Sequence, residues 1–197
     1  MLKALIKKVA SQVWGGLVYL NDVWLAIITN FAIMTLLGTA TRFIQDYYFN
    51  EDYREINPEE FIQTLNLMSL SPLQFGMLPS VGYLLVRFLW VGTSEEGIFR
   101  ALLMDSFLEK FCKAPVWLSV TLSSLIFGAV HLLNPGGWFY RMPQAVGAAG
   151  AGFFLAYLYK KRGYSFASVV HWLYDFCVVY AATRGFLGYI TAHIGSF

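Results

Sequence analysis

Cysteine, histidine and charge are all scarce in this chain of 197 residues, and each shortage excludes something. The only cysteines are Cys112 and Cys177. The first follows a lysine-flanked turn, the second sits deep in an apolar run, and neither makes a C-x-x-C spacing, so a disulfide framework is not expected. Charged residues make up 13% of the chain, about half the share in a soluble domain. The net charge is only +2, and no basic stripe or nucleic-acid motif accompanies it, so no nucleic-acid partner is expected. The three histidines do not form the His-Glu-x-x-His spacing of the common zinc proteases.

What fills the chain instead is apolar. Hydrophobic residues are 57% and aromatics 18%, with a mean hydropathy of +0.55. Such a composition suits helices that meet lipid and cross two aromatic-rich interfaces. The expected fold is all-α, a polytopic membrane bundle in one domain. A helix crossing about 30 Å of hydrocarbon needs roughly 20 apolar residues. Five stretches qualify: 14–37, 79–111, 114–133, 144–159 and 164–183. Three regions follow: 1–78 with a first helix and a polar connection, a four-helix core over 79–183, and a tail over 184–197. Lys3, Lys7 and Lys8 precede a long apolar segment without a small-residue cleavage site, so that helix should be retained.

The only long polar stretch is 41–72, where Asn57-Pro58-Glu59-Glu60 has the cap, proline and acids of a helix start. A short amphipathic helix on the membrane surface is expected there. The basic clusters lie at the N-terminus, at 110–113 and at 160–162. If 79–111 crosses once, all three share a side, which places the N-terminus in the cytoplasm of a multi-pass protein of the cell membrane.

Ionisable groups in a bilayer cost roughly 2.5–3.5 kcal/mol each, so they face a cavity or a partner. The second stretch carries Arg87, Glu95, Glu96, Arg100 and Asp105. Glu96 and Arg100 are four apart and can pair on one helix face. Glu95 points about 100° away and keeps a carboxylate with no local counter-charge, the disposition of a general base. Counted at 1.5 Å per residue from the turn at 110–113, Glu95 and His131 lie at similar depth. His171 and Asp175 are again four apart on one face. Each of these pairs also has a plain structural reading, a packing network or a local hydrogen bond. The small residues at 145–152 should let helices approach closely, and Asn21, Asp22 and Asn30 should bond across helices.

Three motifs in this order, Ser94-Glu95-Glu96-Gly97-Ile98-Phe99-Arg100, Phe127-x-x-x-His131 and His171-x-x-x-Asp175, resemble the CAAX-protease and bacteriocin-processing (CPBP) family. These are intramembrane endopeptidases, and the resemblance covers about residues 79–183. It implies that Glu95 activates a water, that His131 helps to hold it, and that Glu96 and Arg100 support the site. His171 and the residue at 175 would stabilise the oxyanion. That position is commonly Asn in the family and here is Asp175; an ionised aspartate would repel an oxyanion, so it would either be protonated or, the preferred reading, orient His171 and favour its imidazolium form. The implied mechanism uses no cofactor and no metal, although two histidines and a glutamate also suit zinc. The implied partners are membrane lipid and a peptide or membrane-protein substrate. Two other readings stand beside the enzyme: a non-catalytic scaffold or immunity-type protein of the same fold, and a small proton-coupled transporter.

Overall fold

The computed structural model describes residues 2–49, 77–134 and 138–194, with side-chain surroundings for 19–48, 81–134, 138 and 141–180. Among these residues every regular element is a helix. α1 spans Leu2–Phe49 and α2 spans Met77–Glu96. α2 runs without a break into a π-helix, Gly97–Phe111. α3 is Val116–Val130 and closes in a 3₁₀ turn, His131–Leu133. α4 is Trp138–Arg162 and α5 is Tyr164–Ile194.

Helix ends follow local chemistry. Lys113 takes a left-handed φ of 57° after the π-helix, and Pro115 begins α3 in an extended conformation. Between α4 and α5, Gly163 has φ 88°, which glycine adopts without a Cβ penalty, and its N–H donates to the Tyr159 carbonyl. α1 is longer than the expected 14–37. It contains no proline, and a helix satisfies its own backbone, so it does not stop where the apolar stretch ends. Residues 184–194, expected as tail, continue α5. The surface helix expected around 57–60, the turn at 135–137 and the His193 side chain lie outside the described residues.

Two segments among the described residues are long and apolar enough to cross a membrane, Tyr19–Tyr48 and Val116–Leu133, each with mean hydropathy 1.8. Two of the other expected spans miss that standard for compositional reasons. The α2 and π-helix path carries seven charged residues, and α4 ends in Lys160, Lys161 and Arg162.

The packing exposes large apolar side chains and buries several polar ones beside an apolar core. Trp24, Ile28, Trp90, Leu102, Trp117 and Leu125 face outward, while Glu96, Arg100, Ser119, Ser123, Ser124 and His171 are buried. An apolar exterior, with the ionisable groups turned inward, is the arrangement that hydrocarbon favours. α4 packs between α1 and α3, and α2 packs against α5. The small residues of α4 make the close approach possible: Gly147 and Gly150 face Met34 and Leu37 of α1, and Gly152 faces Ser124 and Phe127 of α3. Beside them an apolar cluster of Val23, Ile27, Leu155, Leu158, Phe166 and Val170 ties α1, α4 and α5 together.

Candidate active site

The α2-to-π transition falls at the two glutamates. Glu96 ends α2 and Arg100 lies in the first turn of the π-helix, with Glu96 Oε2 at 3.4 Å from Arg100 Nε and both side chains fully buried. The guanidinium also sits 4.6 Å from the centroid of the Phe127 ring, which supports its charge from α3. The second carboxylate oxygen of Glu96 meets α5, where it lies 3.0 Å from His171 Nδ1.

The other ring nitrogen of His171 faces two further carboxyl groups. Nε2 is 3.5 Å from Glu95 Oε2 and 3.5 Å from Asp175 Oδ2. Contact at 3.0 Å is a hydrogen bond, whereas 3.5 Å is a loose approach. The imidazole is thus anchored through Nδ1 and uncommitted at Nε2. Exposure divides the carboxyls in the same way: the Glu95 and Asp175 side chains are 31% and 23% exposed, and that of Glu96 is 0% exposed. Glu95 and Asp175 border the open side of the cluster, and Glu96 with Arg100 closes its back.

His131 approaches from the 3₁₀ turn after α3. Its Nδ1 is 2.8 Å from the Phe127 carbonyl. A carbonyl can only accept, so Nδ1 carries the proton and Nε2 is left with a lone pair. The Phe127 ring stands edge-on to both histidines, 4.9 Å from His131 and 5.6 Å from His171 between centroids. Through that ring His131 shares a neighbour with His171 and Arg100. All six sequence-derived residues therefore belong to one neighbourhood. Phe127 is the hub: the sequence motif Phe127-x-x-x-His131 named it, but only the structure gives its ring a role.

The depth argument needs correcting in one respect. It counted from the turn at 110–113 with a uniform α-helical rise, but residues 97–111 are π-helical. A π-helix closes i→i+5 bonds and advances less per residue, so Glu95 lies nearer the turn than an α-helix would put it.

Neighbouring contacts hold the frame. Gly92 lies against the Trp172 backbone, where an added Cβ would come within 2.8 Å of the Trp172 nitrogen. The Trp172 indole donates to the Leu85 carbonyl at 3.0 Å, and the Tyr164 hydroxyl to the Thr93 carbonyl at 2.8 Å. The Ser123 hydroxyl donates to the Phe99 carbonyl at 2.7 Å, tying α3 to the π-helix. Asp105 belongs elsewhere: with Glu109, Lys110 and Lys160 it forms an ionic cluster at the far end of the π-helix. Asp22 bonds across to Arg162, whereas neither amide atom of buried Asn30 finds a hydrogen-bond partner among the described residues. Both cysteines are free. Among the described residues no group of three or more His, Cys, Asp or Glu is arranged to hold a metal ion.

No curated protein and no solved structure matches the chain. A family model does match, that of type II CAAX prenyl endopeptidase Rce1-like, over residues 77–177. The matched stretch runs from the start of α2 to just beyond Asp175 and takes in every residue of the cluster. It is just over half of the chain, and the chain belongs to the Rce1-like family of type II CAAX prenyl endopeptidases.

Proposed function

We propose that this protein is a multi-pass intramembrane endopeptidase that hydrolyses a peptide bond of a membrane-associated polypeptide through a water activated by Glu95. The observation that carries the reading is the position of His171, anchored by Glu96 at 3.0 Å and open toward Glu95 and Asp175 at 3.5 Å. In this reading α2, the π-helix, α3, α4 and α5 form the catalytic core. All five helical paths cross the bilayer, with the N-terminus in the cytoplasm.

The steps follow from which atoms can donate and which accept. The lone pair of His131 Nε2 accepts a hydrogen bond from the water and orients it. Glu95 takes the other proton as the oxygen attacks the carbonyl carbon, and passes it to the departing amine. As the imidazolium, His171 donates Nδ1–H to Glu96 and keeps Nε2–H, held by no short bond, for the oxyanion as negative charge develops there. Glu96 and Arg100 keep the imidazole in place, and Asp175 orients it from the open side. The chemistry requires no metal.

The test compares wild type with Glu95→Gln and His131→Ala on a peptide panel, prenylated and unprenylated, in liposomes. Glu95→Gln should lower kcat by about 10²–10⁴, the usual worth of a general base, with His131→Ala at the lower end. Equal cleavage in all three would sink the Glu95 mechanism, no cleavage by any of them would favour the scaffold reading, and Glu95-dependent solute flux without cleavage the transporter. A strong chelator should leave cleavage unchanged; loss restored by zinc would overturn the metal-free step.

A further inference from the structure

Away from the catalytic cluster, a cavity of about 220 Å³ opens between α1, α4 and the start of α5. Its floor and walls are apolar, formed by Leu25, Ala26, Phe154, Leu158 and Phe166. Its mouth is charged, with Lys161, Arg162 and Asp22. Arg162 is paired to Asp22, and its guanidinium lies 5.5 Å from the Phe166 ring centroid. The Lys161 ammonium donates to the Tyr157 hydroxyl at 2.8 Å. One bond each leaves donors free on both cations, since an ammonium has three and a guanidinium five. Two cations against one carboxylate leave the mouth with one net positive charge.

We infer that this cleft is a binding site for a single anionic phospholipid, its phosphate between Lys161 and Arg162 and its acyl chains running down the outer faces of α1 and α4. Charge complementarity identifies the occupant, because a phosphodiester carries the one negative charge that neutralises the mouth. The volume agrees, being below the roughly 300 Å³ of a site that encloses a whole small ligand. It takes a head group and leaves the chains outside. Leu25 and Ile28, 60% and 61% exposed, line the path those chains would follow. The inference rests on the membrane reading above and does not depend on proteolysis.

The full chain, purified in mild detergent, would be offered phosphatidylglycerol, phosphatidylcholine or inorganic phosphate, and retained lipid counted by native mass spectrometry. Wild type should keep one phosphatidylglycerol in preference to phosphatidylcholine and resist displacement by phosphate. The double variant Lys161→Gln and Arg162→Gln should lower retention about thirtyfold, about fivefold for each basic residue at an anionic membrane surface. Arg162→Lys should restore most of it. Thr29→Trp, which fills the cleft without changing charge, should also abolish retention. Glu95→Gln, expected to destroy cleavage, should leave retention intact, so the two readings fail separately. Equal retention of both lipids, displacement by phosphate, or an equal loss from the exposed Lys113→Gln would overturn the site.

Discussion

His171 Nδ1 stands 3.0 Å from Glu96 Oε1, a hydrogen bond that joins the end of α2 to the first third of α5 across 75 positions of sequence. Glu96 holds Arg100 with its other oxygen, so a single carboxylate fixes a cation on its own helical path and an imidazole on another.

Glu96→Ala should therefore fail differently from Glu95→Gln. It leaves the fully buried Arg100 uncompensated, and breaking such a pair costs about 3–5 kcal/mol. Thermal unfolding in detergent should show a strongly destabilised protein with little activity. Glu95→Gln should melt close to wild type and still not cleave. Equal melting temperatures for the two variants would show that Glu96 has no structural role.

Asp175 gives a second test, because its side chain approaches His171 only loosely. Asp175→Asn keeps the size and removes the charge. It should lower kcat about tenfold, the effect of ~1.4 kcal/mol in the barrier, with KM unchanged. Asp175→Leu should abolish cleavage. An Asn variant faster than wild type would mean that the aspartate hinders the oxyanion.

Gly92 permits α2 to lie against the Trp172 backbone, one residue from His171. Gly92→Ala should push the helices apart, costing about 1–3 kcal/mol and reducing cleavage together with stability. Gly82 on the same helix has open space where a Cβ would go. Gly82→Ala should be neutral or slightly stabilising, as alanine favours helix. Similar melting of both variants would remove the close approach as a constraint.

The ionic cluster predicts a pH effect outside the site. Burial works against the Lys160 charge, but hydrogen bonds to Glu109 and Asp105 outweigh it and hold the ammonium above the ordinary lysine value. A raised lysine contributes stability below its unfolded pKa and loses it as pH rises through the folded value. Wild type should exceed Lys160→Gln by a few tenths to about 1 kcal/mol at neutral pH. The gap should close above about pH 10.5. A gap that instead closes on acidification to about pH 6 would contradict the sign.

How much of this was legible in the sequence depends on the range of each contact. Glu96 with Arg100 needs only a spacing of four, so the pair can be read from the chain before any fold is known. The same holds for His131 Nδ1 on the Phe127 carbonyl, although the ring was the part overlooked. Contact of His171 with both glutamates depends on how α2 and α5 are rotated about their axes, which no spacing on either helix specifies. The π geometry of 97–111 was invisible for a different reason. It has no composition of its own, and its residues suit an α-helix equally well.

That π-helix makes the site sensitive to residue count more than to residue identity. Each wide turn holds one residue more than an α-helical turn would, and the surplus sets the angle between Glu96 and everything beyond it. Many single exchanges on the outer face, at Ile98 or Leu102, leave that angle alone. Deleting one residue would wind a turn back to α and swing Arg100 off the Phe127 ring without altering any catalytic side chain. The segment behaves as a ruler whose divisions are counted and whose markings are free to change.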